Sequence, residues 1–134
     1  MRTPFVPSAH PVMSHFGKVV LLVTALPLAA CSTSQTVVPL AADTIQVTVE
    51  ARGECDLADA KVIAARRIAV ETIRRGFDGY AIIGSASRSY NPAQEYTVRM
   101  SKRGQVGTAI DAREALGPDW SKAIAEFDAR SCRV

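Results

Sequence analysis

Three cysteines, Cys31, Cys55 and Cys132, have the widest chemical choice in this 134-residue chain. A thiol can be acylated, oxidised, used as a nucleophile or given to a metal, so their surroundings must decide among these uses. The acid–base groups are easier to place. Both histidines, His10 and His15, precede Cys31, so a histidine-based relay has no member in the rest of the chain. Paired carboxylates could still hydrolyse a substrate. However, Asp56 and Asp59 share one helix start, where capping and the helix dipole account for them. Ser85, Ser87 and Ser89 alternate around Arg88 with no lysine nearby to activate a serine, a pattern of a solvated sheet face. The glycines at 76, 79, 104 and 107 lack phosphate-loop spacing. The expectation is a protein without catalytic residues, metal or cofactor. A carboxylate-dependent hydrolase is the one enzymatic alternative.

Residues 19–30, VVLLVTALPLAA, form an uncharged run directly after Lys18. The run is too short for a bilayer core, which takes about 20 residues, and Pro27 interrupts it as a core helix. A positive start, a short apolar run and small residues at its end describe a secretory signal peptide over 1–30. Residues 1–12 contain Pro4, Pro7 and Pro11, and Met13 offers a more compact start. Leu28-Ala29-Ala30-Cys31 resembles the lipobox of bacterial lipoproteins. That resemblance implies cleavage before Cys31 and a diacylglycerol, usually joined by a further acyl chain, on Cys31, the only prosthetic group expected. Ser32, where some lipoproteins carry an inner-membrane Asp, points to the outer membrane facing the periplasm.

With Cys31 acylated, Cys55 and Cys132 remain as a pair in an oxidising compartment, and a structural disulfide is expected. No CxxC spacing favours redox work, and no further Cys or His completes a zinc site. Removing 1–30 also takes Arg2 and Lys18, leaving 14 Lys and Arg against 13 Asp and Glu. A nearly neutral domain offers no electrostatic case for nucleic acid.

The elements follow from periodicity. Residues 31–43, the lipidated cysteine and STSQTVVPLAAD, read as a flexible tether of ~20 Å, and 44–134 as one domain. TIQVTVEAR over 44–52 alternates as a half-buried strand. Asp56 caps a helix over 57–75 that Gly76 stops. The wheel turns Ala58, Val62, Ala65, Ala69, Thr72 and Ile73 inward, flanked by Leu57, Ala64 and Ile68. It leaves Ile63 and Val70 outside beside Arg67 and Arg74, as scattered surface residues or as a contact ridge for an envelope protein partner. Strands follow over 80–90 and 96–101, with Gly84 marking a bulge, and Pro118 opens a last helix. The fold class is α+β: a small three-stranded sheet, β-α-β-β-α, with helices on one face and the second strand parallel beside the first. Tyr80, Tyr90, Tyr96 and Trp120, with Arg88 and Arg99, are a weaker candidate for a groove.

ETIRRGFDGYAIIGSAS, Glu71 to Ser87, is similar to small uncharacterised proteobacterial lipoproteins, which share a helix ending at R-G-[FY]-D before an apolar strand. The resemblance implies no activity and carries over no functional residues. The functional expectation is an anchored envelope lipoprotein that binds or scaffolds, held to the membrane by its lipid. The alternative in the same class is a sensor or assembly accessory using the helix ridge.

Overall fold

The computed structural model describes residues 32–105 and 109–127. Its centre is β2 (Thr44–Arg52), where Ile45, Val47 and Val49 are fully buried while the residues between them are only half-covered. That alternation is the period-two pattern of its sequence. β2 is paired on both sides. β1 (Ser32–Ala41) lies antiparallel on one edge, and β4 (Ala93–Ser101) antiparallel on the other. β3 (Gly79–Arg88) pairs antiparallel with β4, and β5 (Ile110–Asp111) adds two residues beyond it. The sheet order is β1-β2-β4-β3-β5.

This corrects the expected three-stranded sheet in two ways. The sheet has five strands, because residues 32–41, read as a tether, pair with β2 from Ser32↔Arg52 to Ala41↔Thr44. Pro39 removes one donor, which an edge strand tolerates, and its polar alternation masked the strand signal. β5, at two residues, is too short to show a period. The expected parallel neighbour is also absent. β2 and β3 run parallel, but β4 lies between them, so every pairing is antiparallel. The chain forms the β3–β4 hairpin and inserts its second strand beside β2. Within β3 the register shifts between Ile82 and Gly84, the bulge that the glycine marks.

α1 (Leu57–Arg74) opens with a complete capping box. Asp56 Oδ1 accepts from the amides of Ala58 and Asp59, and Asp59 Oδ2 accepts from the amide of Asp56. It closes in a Schellman motif: Gly76, at φ +80°, donates to the Ile73 carbonyl and Phe77 to that of Thr72. The helix packs against β2, β4 and β3. Its phase differs in part from the wheel. Ala64, Ile68, Ala69 and Thr72 are buried as the wheel places them, but Ala60 is buried with them, whereas Ala58 and Ala65 are exposed and Val62 is 45% exposed. With alanines in two sectors, apolar character alone does not orient the helix. α2 (Ala112–Leu116) and α3 (Trp120–Phe127) pack against α1. They cover the side that carries the arginines.

If β1 is part of the sheet, amide exchange separates it from a tether. The β1 amides directed at β2 are expected to exchange slowly with those of β2, whereas a solvated tether exchanges at the rate of free peptide. Hydrogen-exchange mass spectrometry over residues 32–52 reads the difference.

Candidate functional site

The sequence places its chemistry at the cysteines, so the site is built from the end of the sheet that holds Cys55 and begins with Ser32, the residue after Cys31. Ser32 sits opposite Arg52 at the last rung of the β1–β2 ladder. Three residues on, Cys55 is buried, its amide donating to the Arg52 carbonyl at 3.4 Å. Cys55 is disulfide-bonded. Cys31 and Cys132 both lie outside the described residues. The β3–β4 turn is joined to the same end, because the Ala51 amide donates to the Pro92 carbonyl at 2.8 Å. The turn reverses through Asn91, at φ +53°, and presents Tyr90 at 90% exposure. Beside it, Arg52 and Arg88 both reach Glu50, at 3.4 and 3.5 Å. Exposed pairs of this kind contribute about 0–1 kcal/mol, so they order the surface more than they stabilise it.

The expected contact ridge on α1 is not a surface. Val70 is fully buried and Ile63 packs partly into the core. Arg67 pairs with Glu71 at 3.0 Å and lies over the Phe127 ring at 5.4 Å from its centroid. Arg74 donates through Nη2 to the Ile124 carbonyl at 3.1 Å. Glu71 itself is buried, with Arg75 at 3.4 Å and Arg74 at 4.0 Å as further partners. The physical reason is charge cancellation. A buried carboxylate is tolerable when cations surround it, so a side rich in charge is covered by α3 instead of solvated.

The aromatic residues do not converge. Tyr80 is buried, Tyr96 packs against the core and Trp120 stacks on the Arg113 guanidinium at 5.1 Å. Tyr90 stands alone at the turn. Ser87 donates to the buried Gln94 Oε1 at 2.6 Å. The serines of β3 therefore serve the sheet, as their alternation indicates.

Asp78 was legible only as part of a turn, yet it fastens the opposite end of the sheet. Its Oδ1 accepts from Arg113 Nη1 at 2.9 Å, and its Oδ2 from the Arg103 amide at 3.1 Å. Its amide donates to the Ser101 carbonyl, and its carbonyl accepts from the Ala112 amide. These side-chain partners lie 35 and 25 residues away, so no local signal announces them. Asp78 shares a small polar cleft with Asp111, which caps α2 and faces Arg103 at 3.7 Å. The Arg113 hydrogen bond, and then the Arg103 amide, hold the Asp78 carboxyl below the usual carboxylate range against a smaller opposing effect of burial. A general acid needs a shift in the other direction.

Among the described residues no group of His, Cys, Asp and Glu could hold a metal ion, and no helix is long and apolar enough to cross a membrane. The chain matches no protein-family model, no curated protein and no solved structure.

A carboxyl whose folded pKa is depressed stabilises the fold above its unfolded pKa, and that contribution is lost as pH falls through the folded value. Asp78→Asn is therefore expected to lower Tm at neutral pH. The gap from the parent should close as pH falls below the ordinary Asp range near ~3.9. Thermal melts of both proteins across acid pH measure it, and a gap independent of pH would assign the loss to packing alone.

Proposed function

We propose that the protein is an envelope lipoprotein, anchored through acylated Cys31 and acting without catalysis, by binding or scaffolding at the membrane surface. One observation carries the reading. The small-residue boundary Leu28-Ala29-Ala30-Cys31 is followed at once by Ser32, the first residue of β1. The lipobox boundary thus lies directly before a residue that is already paired in the sheet, opposite Arg52. Cleavage at that bond leaves every described element intact. Ser32 in place of Asp favours the outer membrane.

The same reading assigns the partner of Cys55. An acylated Cys31 has no thiol to give, which leaves Cys132. The course of α3 supports this pairing. Between Ile124 and Phe127 the helix passes from Arg74 to Arg67, so it runs back towards the start of α1. From Arg67 to Cys55 is about 18 Å along a helical rise, and five residues beyond Phe127 reach about 17 Å when extended. The bridge closes a loop of ~78 residues, a constraint of roughly 4–4.5 kcal/mol on the unfolded chain. For a core built largely of Ala and Val, that is a large share of a typical folding free energy.

Support for the alternatives is thinner. The accessory reading relied on Ile63 and Val70, which are covered. The hydrolase reading needs two available carboxylates, and Asp78 and Asp111 are both committed to arginines and amides.

Mass spectrometry of the full chain extracted from the membranes of a bacterial host tests the proposal. The expected N-terminal peptide begins at Cys31 and carries a diacylglyceryl mass. Cys31→Ser is expected to leave the precursor uncleaved and unlipidated. Non-reducing peptide maps are expected to join Cys55 to Cys132. A Cys31–Cys55 peptide, or an intact bond between residues 30 and 31 in the parent, would overturn the reading.

A further inference from the structure

We infer that the sheet end bearing Ser32, Arg52 and the β3–β4 turn rests on the lipid surface, with Tyr90 at headgroup level; the inference rests on acylation of Cys31. The first argument is chain length. Only one peptide bond separates Cys31 from Ser32, and Ser32 is already fixed in register against Arg52. No coil intervenes to let the domain lift away or turn over. An acyl chain on the preceding residue brings the Ser32 end of the sheet within a few ångströms of the bilayer, since one residue spans at most ~3.6 Å.

The second argument is the register across the sheet. Glu50 lies opposite Ala93, and Arg88 opposite Ala93 from the other side. The β3–β4 turn therefore projects from the same end as Ser32. The Ala51–Pro92 hydrogen bond holds the turn to the strand beside the anchor. At its tip Tyr90 is 90% exposed, the most exposed large hydrophobic side chain among the described residues. A tyrosine with an apolar ring and a polar hydroxyl suits the membrane–water interface. β2 rises about 27 Å to the other end, where Asp78 and Arg113 sit and Arg113 stacks on Trp120. That end is held away from the bilayer.

The charges decide what kind of contact this is. Arg52 and Arg88 share Glu50, and Glu54 and Asp56 lie on the adjoining turn before α1. Among the described residues this end carries no excess of positive charge, so their contact with lipid is interfacial, made because the anchor delivers it, and should not require anionic lipid or low salt.

The test uses the full-length acylated protein in phosphatidylethanolamine–phosphatidylglycerol vesicles whose acyl chains are brominated near the headgroup. Tyr90→Trp adds one fluorophore to the native Trp120. The variant is expected to show a second, blue-shifted emission that the bromolipids quench about twofold or more, while the Trp120 emission of the parent is unquenched. The result should persist at high salt and with less phosphatidylglycerol. Failure of bromolipid to quench position 90 in protein whose Cys31 mass includes lipid would overturn the orientation and leave the anchor standing. Quenching of Trp120 alone would overturn it too, placing the other end downward. Protein without lipid on Cys31 would fail the anchor reading itself, and the mass distinguishes that case.

Discussion

Everything in this fold is referred to one strand. β2 buries Ile45, Val47 and Val49 under α1 and is hydrogen-bonded along both edges. Because side chains alternate, a slip of one residue would turn all three to the opposite face. The register is therefore fixed by burial on β2 and passed outward through each pairing. It sets Ser32 against Arg52, and so decides where the polypeptide enters. It also sets the level of the β3–β4 turn, and through the short Arg52–Asp56 connection it sets where α1 begins. The position of the Ser32 end of the sheet is thus a consequence of core packing, not of surface chemistry.

α1 shows how a helix can bury its charged side. Leu, Val and Ile are spread around the helix, and alanine occupies both a buried and an exposed sector. Ala60, Ala64 and Ile68 allow close approach to the sheet. Near its end the helix is buried on consecutive residues, Val70, Glu71 and Thr72, with Thr72 made burial-compatible by donating to the Ile68 carbonyl at 2.8 Å. Glu71 draws Arg67, Arg74 and Arg75 around itself, and the aromatic and carbonyl groups of α3 then meet those guanidiniums. The arginines hold α3 in place, whereas on a solvated helix they would be ordinary i,i+4 pairs worth a few tenths of a kcal/mol.

These details separate what the sequence displays from what it hides. β2, the capping box at Asp56, the Gly76 stop and the bulge before Gly84 are local events, each carried by neighbouring residues. They were readable for that reason. β1 was not, since an edge strand of Ser, Thr and Gln has no apolar period and Pro39 speaks against it. The placement of β4 between β2 and β3 is a long-range choice with no local mark. The helix phase departs from the wheel because charge is no sign of solvent where Glu71 and its arginines satisfy one another. At the candidate site, Cys31 and the exposed Tyr90 could be named from sequence alone. Only the Ser32–Arg52 rung shows that Ser32, the residue after Cys31, and Tyr90 share one end.

On the proposed acylation of Cys31, that shared end alters how the anchor works. One acyl chain binds a bilayer marginally and two or three bind durably, so the lipid supplies the affinity. A tyrosine at the interface adds little to it. What Tyr90 can add is orientation, and the cost of orienting depends on the freedom that must be removed. A domain on a coil of a dozen residues samples every attitude within ~20 Å of the surface. A domain whose first strand begins one residue after the lipid has lost most of that freedom already. The weak interfacial contact then needs to outweigh only a residual swivel about a few backbone bonds. On that proposal the pairing of β1 with β2 is part of the anchor: without it, an acylated Cys31 would still hold the protein to the membrane, but nothing would fix which face it presents.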